Sequence, residues 1–394
     1  MNINAYLYEV LERLIGFDTV SSNSDAPAME FLAERLEAHG FEVHLHRMTI
    51  AGASQLNLVA SAGPPRPGGL AISGHLDTVP FAEQPGWERE PLKMEVDDER
   101  VWGRGTSDMK GFLAACIAAS ARLDLGTLKR PLVFVFTSNE EVGCFGAKDL
   151  APTLGDILGE TPVPELMWIG EPTSWQVQYA HKSIVVFDVN VRGIGGHSGA
   201  PEQGVNAIAV AGRALEAIGH LQAERRVPNA KFASIFPASP HTVLNVGTIS
   251  GGVAANIIAE HCCFTVTYRT LPEADQMELY LEAQGRLAAL DTRDYASDNH
   301  RATIEVGPPL AVPPLLSPRD TALERALLEV AATREVGGAP FVTDGGWFAK
   351  AGMIPLICGP GDLDQAHKPN ESIRRAALED SLGKILKVVG QLCR

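Results

Sequence analysis

In Gly69-Leu70-Ala71-Ile72-Ser73-Gly74-His75-Leu76-Asp77-Thr78-Val79-Pro80 a short apolar run ends abruptly in a histidine, and an aspartate follows two residues later. The run is brief, flanked by glycine and free of polar alternation, which predicts a strand buried on both faces. His75 then stands at the carboxyl end of a strand, where open α/β sheets place their ligands. A carboxylate such as Asp77 can hydrogen-bond one imidazole nitrogen and leave the other free for a metal. Alone, the pair reads equally well as a turn histidine beside a solvated acid. The arrangement recurs, however. Pro131–Thr137 is a second apolar run with Glu140-Glu141 just past its end, and Leu166–Gly170 is a third, followed at once by Glu171. Met353–Cys358 is a fourth, with His367 a short loop beyond, and Asp108 directly precedes the apolar segment Phe112–Leu123. Two histidines and several carboxylates thus converge on one edge of one sheet, which packing does not explain.

With 394 residues the chain exceeds one ordinary core, so two domains are expected. Hydrophobic content of 45% and a mean hydropathy near zero describe a globular chain rather than a disordered one. A net charge of −15 disfavours nucleic acid and anionic membrane surfaces as partners, and weakly favours a cationic or zwitterionic substrate. The six cysteines are scattered without a CxxC, and Cys262 and Cys263 are adjacent, so they read as thiols in a reducing compartment. No secretory leader and no membrane-length run is evident, and a cytoplasmic location is expected.

Along the chain, Leu7–Phe17 and Ala28–His39 read as amphipathic helices, and Glu42–Met48 as an edge strand whose His44 and His46 face solvent. Strands then alternate with helices, predicting an α/β fold with a doubly wound, mostly parallel sheet. The texture changes near Tyr179. Alternating strands at 183–191, 242–249, 260–270 and 302–306 enclose helices at 206–221 and 275–290, the β-α-β-β-α-β order of a ferredoxin-like unit. The expectation is a domain of residues 179–310 inserted into another formed by 1–178 and 311–394, the latter closing with a helix at 320–334, the strand at 353–358 and a helix at 376–392.

Histidine and carboxylate ligands without thiolate suit Zn²⁺, Co²⁺ or Mn²⁺ in a catalytic site. Two histidines and four or five carboxylates are too many for one tetrahedral ion, but suffice for two sharing a bridging carboxylate. Paired ions activate water and polarise a carbonyl, the chemistry of amide hydrolysis, and an unligated base must take the water's proton. In Glu140-Glu141 one carboxylate can bind metal while its neighbour does that work.

Five motifs, in order, carry a resemblance to the acetylornithine deacetylase and succinyl-diaminopimelate desuccinylase family of dimetal aminoacylases and exopeptidases. They are Ser73–Pro80, Gly103-Arg104-Gly105-Thr106-Ser107-Asp108-Met109-Lys110-Gly111, Thr137-Ser138-Asn139-Glu140-Glu141, Gly170-Glu171-Pro172-Thr173 and Gln365-Ala366-His367-Lys368-Pro369. The resemblance implies that His75 and Glu171 hold one ion, Glu141 and His367 the other, and that Asp108 bridges them through a residue followed by a cis peptide bond. Asp77 would orient His75, and Glu140 would be the general base. The inserted domain resembles the family's dimerisation lid. Its Gly193–Gly199 stretch carries His197, expected to reach the partner subunit's site and stabilise an oxyanion. The rival reading of that stretch as a dinucleotide loop fails on spacing and lacks a ribose-binding acid.

Asn256 and Arg269 resemble the family's carboxylate-binding elements, and Gly345 and Gly346 lie where it has a substrate loop. The Thr-Ser-Asp-Gly usual in the desuccinylase branch is absent. The expectation is a homodimeric enzyme holding two divalent ions per subunit, zinc or cobalt, and hydrolysing an N-acyl amino acid, foremost N2-acetylornithine, with another N-acyl amino acid such as succinyl-diaminopimelate or a small peptide as the alternative substrate. A non-enzymatic metal-binding relative is the competing class, and the intact Glu140 with a full ligand set speaks against it.

Overall fold

The computed structural model describes residues 3–50 and 52–394. The chain falls into two compact units, Met1–Ala180 with Leu315–Ala339 and Thr343–Arg394, and His181–Pro314 with Pro340–Val342.

The first unit is built on a nine-stranded sheet. Its spatial order is Glu42–Ile50, Ala53–Ala62, Leu132–Thr137, Leu70–His75, Leu166–Ile169, Ile354–Ile357, Val177–His181 and Leu315–Leu316, with Val336–Ala339 also pairing with Val177–His181. The four central strands, Leu132–Thr137 through Ile354–Ile357, are mutually parallel, in register His75 opposite Thr137, Ser73 opposite Ile169 and Ile169 opposite Ile357. Their carboxyl ends therefore share one edge. Leu70–His75 and Leu132–Thr137 are buried at every residue, which is why they read as unbroken apolar runs.

The flanks correct the expectation of a mostly parallel sheet, because the sheet is mixed. Glu42–Ile50 and Ala53–Ala62 pair antiparallel, and two intervening residues are too few for a parallel crossover. Ala53–Ala62 is antiparallel to Leu132–Thr137, and Val177–His181 to Ile354–Ile357. The helix expected over 320–334 is also shorter, Ala322–Leu328. Residues 329–334 form turns and bends, and Val336–Ala339, whose Gly337 and Gly338 disfavour helix, forms a strand beyond them.

Helix Lys110–Ser120 is buried along its whole length and packs against Ile3–Gly16 and Arg375–Cys393. Phe112 meets Trp168 edge-on at 5.4 Å, and the Trp168 indole donates to the Cys358 carbonyl at 2.5 Å. Gly170 permits this approach, since a Cβ there would lie 1.9 Å from Phe112 Cδ1. The start of this helix is thereby fixed against the Glu171 loop. A small antiparallel sheet of Glu95–Val96, Arg100–Trp102 and Ser372–Arg374 sets Ser372 opposite Trp102, which brings the loop after residue 366 beside Gly103–Asp108.

The second unit pairs Val243–Gly251, His261–Arg269, Ile184–Arg192 and Thr303–Val306 antiparallel in that order, with Leu310–Val312 also on Ile184–Arg192. Alternate residues of His261–Arg269 (Phe264, Val266, Tyr268) and of Ile184–Arg192 (Val185, Phe187, Val189, Val191) form a core with helices Ala207–Arg225 and Glu278–Ala288. Asn206 caps the first of these helices, its side chain accepting from the Ile208 and Ala209 amides. Among the described residues all six cysteines are free, and no helix is long and apolar enough to cross a membrane.

Candidate metal centre

The ends of the four parallel strands deliver the donors. His75 closes Leu70–His75 with its ring buried. Its Nδ1 lies 3.0 Å from the Asp77 main-chain carbonyl, to which it donates, and 3.6 Å from the Asp77 carboxylate. That bond leaves Nε2 to carry a proton or meet a cation, and it points at Asp108 Oδ1 at 3.1 Å and Glu171 Oε2 at 3.9 Å. A ring nitrogen among carboxylate oxygens needs a proton or a cation between them. The other side of the cluster repeats the pattern. His367 Nε2 lies 2.8 Å from Glu141 Oε2 and 3.3 Å from Asp108 Oδ2. The two Asp108 oxygens are thus divided between two histidines, one on each side. Ligand atoms of His75, Asp108 and Glu141 lie within 4.8 Å of one another, so the residues present fit divalent ions.

Electrostatics agree. Burial pushes Glu140 and Glu171 well above the ordinary carboxylate range; the charge of Glu171 raises Glu140 further, and the charges of Asp108, Asp344 and Glu141 raise Glu171. Glu141 is pushed up to about 7, by burial first and by the charge of Asp108 second. Burial also works against ionisation of Asp108, but hydrogen bonds from His367 and His75 hold it below the usual range. His367 is raised to about 10 by its bonds to Asp108 and Glu141. So many carboxylates in one buried cluster call for cationic charge.

The backbone around the cluster is fastened by buried acids. Asp77 Oδ1 accepts from the Glu140 amide at 3.0 Å, while Oδ2 accepts from the Ser21 hydroxyl at 2.6 Å and the Glu141 amide at 3.2 Å. Its carboxylate therefore grips the Glu140-Glu141 turn more closely than it grips His75. Asn139 precedes that turn with φ +54, a left-handed conformation that asparagine tolerates, and its side chain donates to the Ser21 carbonyl at 2.8 Å. The Asp108–Met109 peptide bond is cis. Glu371, which the sequence reading left without a role, accepts from the Ser107 and Asp108 amides on Oε1 at 2.9 and 3.0 Å, and from Gly105 N and Arg104 Nη1 on Oε2, both at 2.9 Å. Arg104 also donates to Gln84 Oε1 at 2.5 Å, and Gln84 Nε2 to the His367 carbonyl at 2.6 Å. One buried ion pair thus ties the Asp108 loop to the His367 loop. A lone acid four residues past His367 looks solvated in sequence, and only the Trp102–Ser372 pairing reveals its surroundings.

Glu140 stands apart from these donors, half-buried, with Cys144 Sγ 3.5 Å from its Oε1. Asp344, also without an assigned role in the sequence, is buried nearby and accepts from Thr137 Oγ1 at 2.5 Å. Burial raises its carboxyl to about 6. Gly345 and Gly346 are buried in the first turn of the short helix Gly345–Lys350. Their amides already donate to Thr343, to the hydroxyl at 3.0 Å and the carbonyl at 3.5 Å.

The remaining expected residues lie in the second unit. His197 is exposed, on a short strand Gly196–His197 pairing with Ile257–Ile258, and Ser198 N donates to the Asn256 carbonyl at 3.1 Å. The unit therefore brings His197 and Asn256 together. His197 Nδ1 accepts from the Gly199 amide at 3.0 Å, which puts the ring proton on Nε2. Arg269 ends the strand His261–Arg269 on the face opposite Tyr268, half-buried, and its guanidinium pKa is lowered by burial.

Residues 71–394 match the model of peptidase family M20/M25/M40. The chain belongs to this family. It is a metal-binding hydrolase of the aminoacylase and peptidase kind. Acetylornithine deacetylases of Salmonella agona and Salmonella arizonae are 31% and 30% identical to it over 100% of this chain and 99% of theirs. An M20 family metallo-carboxypeptidase from Sulfolobus solfataricus shares its fold at a TM-score of 0.78 and 16% identity, over 97% of this chain and 98% of that one. A dinuclear metal-binding M20 peptidase from Bacillus subtilis superposes at a TM-score of 0.64 and 16% identity, over 98% and 97%.

Proposed function

We propose that this M20 hydrolase removes the acetyl group of N2-acetylornithine, releasing ornithine and acetate, at a pair of divalent ions, zinc or cobalt. The division of the Asp108 oxygens between His75 and His367 carries the two-ion reading, because one carboxylate with a ring nitrogen facing each of its two oxygens is what a bridging ligand requires. His75 and Glu171 would hold one ion and Glu141 and His367 the other. When bound, such a pair polarises the amide carbonyl and acidifies water.

The chain's own groups do the rest. Glu140, outside the ligand set, takes the proton of the attacking water and passes it to the leaving amine, a role helped by a carboxyl that burial raises. Asp77 holds the turn that keeps Glu140 and Glu141 aimed apart. His197 offers a free Nε2–H to the developing oxyanion. We assign it to the partner's site in a homodimer joined through residues 179–310, which serve as a lid. Arg269 binds the substrate α-carboxylate with Asn256 beside the same lid site, in preference to Gly345 and Gly346, whose amides are engaged.

The 30–31% identity to deacetylases over the whole chain favours acetylornithine among N-acyl amino acids. A comparison of kcat/KM for acetylornithine, acetylmethionine and succinyl-diaminopimelate under one metal condition tests this. Acetylornithine should lead, and Arg269→Ala should impair all three. A tenfold lead for the succinylated substrate, about 1.4 kcal/mol in transition-state binding, would sink the substrate assignment and leave the metal chemistry standing.

A further inference from the structure

Beside the paired-ion ligands lies a second donor set that the hydrolytic reading leaves incompletely used. Glu140, Cys144 and Asp344 each offer one ligand atom, and the three atoms lie within 4.8 Å of one another. The turn Glu140–Cys144 builds the set locally, since the Cys144 amide donates to the Glu140 carbonyl at 2.9 Å and folds the thiol back over its carboxylate. Cys144 Sγ lies 3.5 Å from Glu140 Oε1. A tetrahedral zinc with bonds of about 2.3 Å to sulfur and about 2.1 Å to oxygen spaces two such ligands by roughly 3.6 Å. The pair already stands at the separation an ion between them requires.

Asp344 supplies the independent observation. It is 2% exposed, and its Oδ2 accepts from Thr137, yet its Oδ1 has no hydrogen-bond partner among the described residues. A buried carboxylate oxygen without a donor is costly and rarely kept without a use. Charge points the same way. Asp77, Asp108, Glu140, Glu141, Glu171 and Asp344 form one interacting group of six carboxylates. Two divalent ions neutralise four of those charges, so the cluster stays anionic with its catalytic pair in place and still attracts a cation.

We propose that Glu140, Cys144 and Asp344 form a third, inhibitory site for a thiophilic divalent cation such as zinc or cadmium in excess. This rests on Glu140 being the general base. Binding replaces the thiol proton, which leaves to solvent, with a metal–sulfur bond, and no oxidant or reductant is needed. The occupied Glu140 carboxylate can no longer accept a proton from water. Ions that favour oxygen ligands, magnesium above all, gain little from the thiolate and do not inhibit.

The test uses the enzyme already loaded with its catalytic metals and titrated with Zn²⁺, Cd²⁺ or Mg²⁺. Initial rate, bound metal per subunit by equilibrium dialysis, and ultraviolet cadmium–thiolate charge-transfer absorbance are followed together. Zinc and cadmium should fill a third, weaker site, and the filled form should lose turnover by roughly 10²–10⁴-fold, the contribution of a base. Cadmium should bring the thiolate band in step with inhibition, and magnesium should do neither. Measured against its own uninhibited rate, Cys144→Ala should lack that band and need roughly tenfold or more additional zinc for half-inhibition, as expected on losing one metal contact. The proposal is overturned if cadmium inhibits wild-type enzyme without the band, or if Cys144→Ala is inhibited at the same zinc concentration. Full activity of Glu140→Gln would instead remove the base assignment on which the inhibition rests, while the third ion in wild type and its loss in Cys144→Ala are read by dialysis alone.

Discussion

Glu371 and Asp344 are both buried acids flanking the same cluster, and the fold treats them in opposite ways. Glu371 accepts four hydrogen bonds, three from main-chain amides and one from Arg104. Asp344 accepts one from Thr137 and leaves an oxygen unpartnered among the described residues. Burial raises both carboxyls, Asp344 to about 6, and only Glu371 has an arginine opposing that rise. A carboxylate with its lone pairs taken is scaffold: it holds the Asp108 loop in place and is closed to chemistry. One with an open oxygen stays available to a cation or a proton. The two acids thus separate a side of the cluster that is held fixed from a side left open to a cation or a proton.

The largest expected effect lies on the reactive side. Glu140→Gln should lower kcat by roughly 10²–10⁴-fold and leave bound metal unchanged, as for an absent general base. Metal analysis beside single-turnover kinetics checks both halves. Loss of an ion would mean that Glu140 is a ligand, and the division between base and ligand within Glu140-Glu141 would have to be reversed.

A smaller effect is expected on the scaffold side. Glu371→Gln turns an amide NH₂ toward main-chain donors and removes the charge opposite Arg104. Metal affinity should fall by roughly 10–100-fold, the usual cost of disturbing a group that orients a ligand. Excess catalytic metal should restore the rate with KM unchanged. Asp344→Asn, which lacks such a network, should alter the affinity for the first two ions far less. Equal losses in the two variants, or a lowered Tm without any change in metal affinity, would erase the contrast between the acids.

Much of this was legible in the sequence, for a physical reason. Strands buried on both faces must be short and apolar, so Leu70–His75, Leu132–Thr137, Leu166–Ile169 and Ile354–Ile357 announce themselves, and the polar residues just beyond them stand out. His75, the Glu140-Glu141 pair, Glu171 and His367 stand out in this way, and Asp108 by its place before an apolar helix, while the division of roles between Glu140 and Glu141 rests on the family resemblance. What stayed hidden depends on distant pairing. Glu371 meets the Asp108 amide 263 residues earlier, and nothing local distinguishes it from a solvated loop acid. Asp344 meets Thr137 across 207 residues, and nothing local marks an acid beside two glycines as buried. Strand direction was misjudged at the flanks, where short returns impose antiparallel pairing on a sheet whose centre is parallel.

On this reading the His75 and His367 sides of the cluster each hold a divalent ion needed for amide hydrolysis. This is tested most directly by stripping the enzyme with a chelator and returning metal stepwise, with bound ions per subunit and acetylornithine turnover followed in the same samples. Turnover should vanish on stripping and reach its maximum as bound metal reaches two per subunit. Full turnover of the stripped enzyme, or a maximum reached and held at one ion per subunit, would contradict the account.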